Sequence, residues 1–302
     1  MARALGIDLG GTKIEAQLFA DDWSVRGRNR IDTPADYPAL VASVAGQIAW
    51  GTERAGHPVP VGIGAAGLVS PVSGAALTAN LAATGHPFPA DIEAAAGRAV
   101  TYVNDCRAFT LSEAIFGVAR AHSPVLGLLL GTGVGGGLAV DGALVAGPGQ
   151  FGGEFGHIPA PAHLVARHGL PIVTCGCGRP GCIETFISGP GLARLAAHLT
   201  GQEVAPPAIA AGRRTQPALR QVWSVWRELV ADLLWTLCMT VDPQTIVLGG
   251  GLSRIEGLAP ELSEALARLV WPGYPAPAIL IAEGGDSSGA RGAAYAAWKA
   301  QP

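Results

Sequence analysis

The residues able to do chemistry are gathered in a few short stretches. Three of the five cysteines, Cys175, Cys177 and Cys182, lie within eight residues in TCGCGRPGCIE. Thiols clustered in this way form a disulfide, are three unrelated buried thiols or, with a histidine, make a tetrahedral zinc site, and so many in eight glycine-rich residues favour the metal. His157 in GEFGH is one candidate for the fourth ligand, and His163 and His168 are rivals nearer in sequence. Four protein ligands leave no open position, so such a zinc would be structural. It would tie together two loops carrying Glu154 and Glu184. Carboxylates suit a polyol such as a sugar, because each accepts several hydrogen bonds.

Two glycine-rich turns have a different chemistry. In DLGGTK, Asp8 ends an apolar run and is followed by Gly10, Gly11, Thr12 and Lys13. Backbone N–H groups in so tight a turn approach a phosphate closely, with Thr12 adding a hydroxyl, and Asp8 can hold Mg²⁺ through water. LGTGVGGG repeats the pattern around Thr132 and Gly133. Each alone is compatible with a plain β-hairpin. Two in one chain could grip the β- and γ-phosphates of a nucleotide from opposite sides. Asn104-Asp105 stands at a strand–helix junction, where an aspartate is either a helix cap or a general base for a substrate hydroxyl. TIVLGGG ends in Gly249, Gly250 and Gly251, against which a flat group such as adenine can lie, unless the glycines only make a close turn.

The elements that must carry these groups follow from periodicity. Residues 4–19 read as strand, glycine turn, strand, and RNRIDTP closes a third strand. Leu40, Val44 and Ile48 mark a helix over 37–55. Strands are expected at 59–67 and 100–106, the second followed by a helix faced by Leu111, Ala114, Ile115 and Val118. Residues 125–146 repeat the strand–turn–strand opening, a weak internal duplication that suggests two related lobes. A long helix at 216–240 carries Leu219, Val222, Trp226, Leu229, Leu233 and Leu237 on one stripe. A strand at 245–251 and a closing alanine-rich helix follow, while Gly201 and Pro206–Pro207 read as surface loop. Strands alternating with helices define an α/β class.

Composition narrows the partners. The chain has 302 residues, 43 of them glycine, 49% hydrophobic residues and a net charge of −3. That is enough for two domains with a large core. With no basic run, nucleic acid is disfavoured. VLGLLLGTGVGGGLAV is too short and too glycine-rich for a membrane span. No signal peptide is visible and the cysteine count is odd, so the expected location is the reducing cytoplasm, where a disulfide is disfavoured.

Together, CGCGRPGCIE preceded by GEFGH, with DLGGTK and GTGVGGG, resembles the ROK family of sugar kinases and sugar-responsive repressors from about Leu5 to Lys299. The zinc motif is specific to that family; the glycine loops are shared more widely among actin-like ATPases. The resemblance implies an actin-like (ribonuclease H-like) two-lobed α/β fold with ATP and sugar in a cleft between lobes. It implies a small lobe of residues 1–118 plus 290–302, and a large lobe of 119–289 carrying the zinc. By position, Asp105 matches the catalytic base for the sugar 6-hydroxyl. Asn80, Asn104, Asp105, Glu154, His157 and Glu184 match sugar ligands, and His157, Cys175, Cys177 and Cys182 the structural Zn²⁺ ligands. Asp8, Gly10, Gly11, Thr12, Lys13, Thr132, Gly133, Gly250 and Gly251 match the ATP site, with Mg²⁺ accompanying ATP. A homodimer is the family's common form.

Within the family the chain is most similar to bacterial N-acetyl-D-glucosamine kinases. Seventeen residues separate His157 from Cys175, a longer connection than in many family glucokinases. LAATGHPF after Asn80 lacks the tryptophan often found there in glucokinases, and TVDPQTIVLGGGLS resembles the amino-sugar kinases. Glucose, N-acetylmannosamine and fructose are the alternative acceptors. A repressor would carry a helix-turn-helix domain ahead of the first phosphate loop, which starts here at residue 8. A non-catalytic sugar sensor needs neither two phosphate loops nor Asp105. One departure is Cys106-Arg107, where the family more often has Ala and Asn. A cation in a helix's first turn opposes the dipole and calls for a partner, Glu or phosphate.

Overall fold

The structure, a computed structural model, describes residues 1–145, 147–284 and 288–301. It consists of two compact units, each a mixed α/β lobe. One comprises Met1–Arg120, Gly137–Gly152 and Glu283–Pro302, the other Ala121–Gly136 and Gly153–Ala282.

In chain order the elements begin with β1 (Ala2–Leu9), β2 (Lys13–Ala20), β3 (Val25–Asp32), α1 (Tyr37–Ala55), β4 (Val61–Ala65), β5 (Leu68–Val69), β6 (Ala76–Leu77), α2 (Phe88–Ala96), β7 (Thr101–Asn104) and α3 (Asp105–Ile115). They continue with β8 (Val125–Leu130), β9 (Val134–Val140), β10 (Ala143–Leu144), α4 (Ala162–Arg167), α5 (Glu184–Ile187), α6 (Gly189–Thr200), α7 (Pro206–Gly212) and α8 (Pro217–Val241). The chain closes with β11 (Thr245–Gly249), α9 (Leu258–Ala267), β12 (Ala278–Ile281) and α10 (Ser288–Lys299). Short 3₁₀ turns occupy Phe155–His157 and Leu252–Arg254.

Two five-stranded sheets share one topology. Their strand orders are β3-β2-β1-β4-β7 and β10-β9-β8-β11-β12, so each opens with an antiparallel meander and then adds two strands beyond its first. In the first sheet β1, β4 and β7 are parallel, as are β8, β11 and β12 in the second. The similarity of the two glycine turns in sequence is thus matched by a repeat in topology.

Local chemistry accounts for the element ends. Asp36 caps α1 by accepting from the Ala39 N–H at 2.9 Å, and Gly56 ends the helix with φ 76°. The apolar stripe of α1, with Leu40, Val44 and Ile48 buried, lies on a core that includes Ile14, Ala16 and Leu18 of β2. The α8 stripe is likewise core, with Trp226 fully buried and its indole N–H donating to the Ile187 carbonyl at 2.9 Å. Two expectations change. Pro206–Pro207 opens α7 rather than lying in a loop, because proline is well suited to a helix's first position, where no N–H is needed. β7 ends at Asn104, and residues 105–106 belong to α3, which stops at Ile115, short of Val118. Gly201 lies where a turn is expected, ending α6 with φ 71°. Among the described residues, no helix is long and apolar enough to cross a membrane.

α10 sits directly on the backbone of β1 and β4. A Cβ on Gly62 would lie 1.9 Å from the Ala293 carbonyl oxygen, a contact no rotamer change can relieve. Gly62→Ala should therefore lower stability by at least about 1–3 kcal/mol through overpacking. Gly46, inside α1 with no atom within 4 Å of its built Cβ, is the contrast: Gly46→Ala should gain up to about 1 kcal/mol. Urea midpoints at constant slope measure both, and equal midpoints for the two variants would refute the packing account.

Candidate functional site

In the first unit, the parallel strands deliver chemical groups to one sheet edge. β1 pairs Asp8 with Gly64 of β4, and β4 pairs Ala65 with Asn104 of β7, so all three strands end side by side. In parallel α/β sheets this carboxyl edge is where ligands bind. After Asp8 the chain turns through Gly10, Gly11 and Thr12, closed by the Gly10 N–H donating to the Lys13 carbonyl at 3.0 Å. Thr33 braces the turn with its hydroxyl on the Gly10 carbonyl at 2.7 Å. Gly11, Thr12 and Lys13 are exposed. Asn80 lies against Gly11, where a Cβ would meet Asn80 Cβ at 2.7 Å. Asp8 is close to the first turn of α10, where a Cβ on Gly289 would meet its Oδ1 at 2.9 Å.

Of the two roles open to Asp105, capping falls to its neighbour. Asn104 is the cap of α3, its Oδ1 accepting from the N–H groups of Cys106 at 3.0 Å and Arg107 at 3.3 Å. Its amide also donates to the Gly67 carbonyl at 3.1 Å. Asp105 is the first helical residue and accepts from the Cys106 N–H at 2.8 Å. Burial raises its pKa above the usual carboxylate range, with the Cys106 N–H opposing that shift. Tyr102, whose hydroxyl is buried without a hydrogen-bond partner among the described residues, is pushed up by burial and by the Asp105 charge. A carboxylate made more basic in this way is suited to taking a proton.

Arg107 has main-chain partners. Its guanidinium is buried and donates to two backbone carbonyls, Gly152 at 2.7 Å and Gln150. It ties the segment after β10 to α3. Sequence reasoning did not anticipate this, because the partners are main-chain atoms more than 40 residues away and carry no side-chain signal.

In the second unit, His157 is brought to the three cysteines. One ligand atom from each of His157, Cys175, Cys177 and Cys182 lies within 4.8 Å of every other. Cys175 Sγ is 3.6 Å from His157 Nδ1, and Cys177 Sγ is 3.6 Å from Cys182 Sγ. Tetrahedral zinc with Zn–S bonds near 2.3 Å sets ligand atoms roughly 3.8 Å apart, so the donor set and its spacing fit zinc. The rival histidines are engaged on α8: His168 Nε2 lies 2.9 Å from Glu228 and His163 Nε2 lies 3.4 Å from Asp232. Burial pushes the thiols of Cys175 and Cys182 up, the second to about 12, whereas the backbone N–H of Arg179 holds exposed Cys177 down. Without a cation, burial therefore favours the protonated form of Cys175 and Cys182, and metal binding has to displace those protons.

Carboxylates surround this cluster. Glu184 opens α5, and its Oε2 accepts from the Val134 N–H at 2.7 Å, while Oε1 is 3.6 Å from Cys175 Sγ. It thereby joins the thiol cluster to the glycine turn after β8. Glu154 precedes the 3₁₀ turn that carries His157, with its Oε2 3.8 Å from His157 Nε2. Thr132 and Gly133 are exposed at that turn, which closes through the Gly131 N–H on the Gly133 carbonyl at 3.0 Å. Alongside, β11 ends at Gly249 and is followed by Gly250 and Gly251. Gly250 has φ 83°, and a Cβ there would meet the Leu130 carbonyl at 2.5 Å, so only glycine fits. β8 and β11 run parallel, and their carboxyl-end turns lie beside each other.

Comparison with known proteins is consistent with these parts. The ROK family model matches residues 4–300. The chain is 39% identical over 292 residues to N-acetylgalactosamine kinase AgaK of Shewanella sp. (strain ANA-3), covering 96% of this chain and 94% of that protein. It is 38% identical over 295 residues to N-acetyl-D-glucosamine kinase of Escherichia coli O127:H6, covering 96% and 97%. A ROK family glucokinase from Streptomyces griseus, solved in complex with glucose and AMPPNP, superposes with a TM-score of 0.77 at 28% identity, covering 99% of this chain and 100% of that one.

Cys177 is exposed and Cys182 buried, so the two separate metal binding from packing. Cys177→Ser should reduce zinc from one per chain to well below one, with little further loss of stability once wild type has been stripped by chelator. Metal analysis with thermal melts checks this; a Cys177→Ser protein that retains full zinc would remove Cys177 from the ligand set.

Proposed function

This chain belongs to the ROK family and is an ATP-dependent sugar kinase; within that activity, we propose that it transfers the γ-phosphoryl group of ATP to the 6-hydroxyl of N-acetyl-D-glucosamine. The observation that carries the acceptor is whole-length likeness to kinases of N-acetylated hexosamines at 38–39% identity. The long connection between His157 and Cys175 supports it. It forms α4, docked on α8 through His163–Asp232 and His168–Glu228. N-acetyl-D-galactosamine is the second reading, favoured by the 39% relative.

The roles follow from the chemistry of each group. Asp105 removes the proton from the 6-hydroxyl as the oxygen attacks in line with the leaving ADP. Asn80, Asn104, Glu154, His157 and Glu184 orient the sugar through its other hydroxyls. Gly10, Gly11, Thr12, Lys13, Thr132 and Gly133 bind phosphate oxygens through N–H and O–H groups. Gly250 and Gly251 leave room for the adenosine. Asp8 is the carboxylate assigned to the nucleotide's Mg²⁺, which when bound neutralises charge on the phosphates. His157, Cys175, Cys177 and Cys182 would hold a structural Zn²⁺ whose contribution is a cross-link positioning Glu154 and Glu184. We assign the enzyme to the cytoplasm and to a homodimer.

A raised Asp105 pKa has two consequences of definite sign. The acid limb of kcat/KM should lie above the ordinary aspartate value of about 3.9, because the base must be ionised to act. For stability, the folded state binds the proton more tightly than the unfolded chain. The contribution is therefore present below the unfolded pKa and lost as pH rises through the folded one. Asp105→Asn should thus reduce kcat by about 10²–10⁴-fold, leave sugar affinity nearly unchanged and not lower the melting temperature at pH 7. Equal losses in kcat and sugar affinity would sink the base assignment.

The acceptor is tested by kcat/KM for ATP-dependent turnover of N-acetylglucosamine, N-acetylgalactosamine, N-acetylmannosamine, glucose and fructose. N-acetylglucosamine should lead glucose by roughly 10–150-fold, the worth of one well-made polar contact at about 1–3 kcal/mol. N-acetylgalactosamine in first place would change the epimer but keep the acetamido reading. Glucose in first place would overturn it.

A further inference from the structure

A cavity of about 510 Å³ opens on the first unit, away from the sheet edge that carries Asp8 and Asp105, lined by Leu18, Arg26, Trp50, Glu53 and Arg54. Its volume falls within the range of small-molecule sites. Its lining comes from β2, β3 and α1, none of which the phosphotransfer reading uses at this end.

The geometry of β3 shows how the cavity acquires its charge. β3 reads VRGRNRID, and strict alternation would put Arg26, Arg28 and Arg30 on one face. Arg28 and Arg30 do share a face, where both pair with Glu15. Asn29 and Gly27 point the other way, toward α1: the Asn29 amide donates to Gln47 at 3.1 Å, and a Cβ at Gly27 would lie 3.0 Å from Arg54 Nε and 3.5 Å from the Trp50 ring. Between β2 and β3 the register slips, with Leu18 opposite Gly27 but Phe19 opposite Val25. Arg26 is the extra residue of that bulge. Bulges redirect side chains, and here the redirected one lines the α1-side cavity with Arg54 instead of joining Arg28 and Arg30. Among the described residues no ion pair within 4.0 Å is formed by Arg26 or Arg54, and the charge of Arg26 acts at longer range on exposed Asp21.

The lining makes a coherent set of ligand contacts. Two guanidiniums offer forked donors that match a phosphate dianion. Glu53 disfavours a bare anion but accepts hydrogen bonds from hydroxyls. Trp50, half-buried against the core, supplies a flat apolar wall for a sugar or base face. We propose that this cavity is a second, non-catalytic binding site for a phosphorylated sugar, either a hexose phosphate or a nucleoside phosphate. A kinase generates one of each, so the site is placed to report product on the enzyme that makes it.

The test uses the full-length, zinc-loaded protein with its catalytic site saturated by AMPPNP and the preferred sugar. N-acetylglucosamine 6-phosphate, ADP and inorganic phosphate are titrated separately by calorimetry. One sugar-bearing phosphate should bind one equivalent per wild-type chain, and which one binds identifies the source. Arg26→Ala/Arg54→Ala should weaken it at least 10-fold while leaving initial-rate kcat/KM unchanged, since neither residue belongs to the catalytic assignment. Arg214→Ala/Arg220→Ala, which removes the same charge from exposed positions of the other unit, should bind as wild type. Absence of binding to wild type, equal binding to the Arg26/Arg54 variant, or equal weakening by the control pair would each overturn the site. Inorganic phosphate binding as tightly as the sugar phosphates would overturn the roles of Glu53 and Trp50.

Discussion

Everything in the first unit depends on the hydrogen-bonded register of three parallel strands. Because β1, β4 and β7 pair in step, Asp8, the turn after Ala65 and Asn104-Asp105 finish at the same edge. A backbone end can present a side chain to a ligand; a strand's middle presents it to the core or to a covering helix. The register also decides what covers the sheet. α10 reaches the strands so closely that Gly6 and Gly62 face its carbonyls, each with a built Cβ 1.9 Å away. A side chain at either point would push α10 outward and with it Gly289, which packs on Asp8. The carboxylate edge and the glycine contacts are therefore one constraint.

The second unit solves the same problem with fewer hydrogen-bonded elements. Its polar loops, 153–157 and 174–183, are formed by a 3₁₀ turn and isolated bridges. Loops of this kind have little to hold them against the entropy of a mobile backbone. Four candidate ligand atoms brought within 4.8 Å would supply the missing rigidity with zinc bound. Glu184 would carry that rigidity onward, because one oxygen faces Cys175 and the other holds the Val134 N–H beside the glycine turn after β8.

Charge at the two ends of α3 is handled by separate means. At the start Asn104 does the capping, and burial raises the pKa of Asp105 beside it. Arg107, unfavourable toward the dipole in the first turn, donates to the Gly152 and Gln150 carbonyl oxygens. Glu113, fully buried further along, accepts from the Gly284 N–H and the Ser288 hydroxyl, both at 2.9 Å, and so anchors the start of α10. One helix thereby connects the proposed base to the segments on either side of it.

The sequence by itself determined the α/β class, the duplicated strand–turn–strand opening, the family and the identity of the thiol ligands. Each of these is written in local patterns: period-2 and period-3.6 burial, glycine turns, and cysteines within eight residues. Tertiary structure alone decided which histidine joins the cysteines. His163 and His168 are nearer in the chain, but α4 docks them on α8, while the 3₁₀ turn brings His157 Nδ1 to Cys175. It likewise decided that Asn104 is the cap, that Arg107 binds carbonyls and that a bulge turns Arg26 toward Arg54. These outcomes depend on main-chain partners and on register between distant strands, and neither leaves a mark on residue type or spacing.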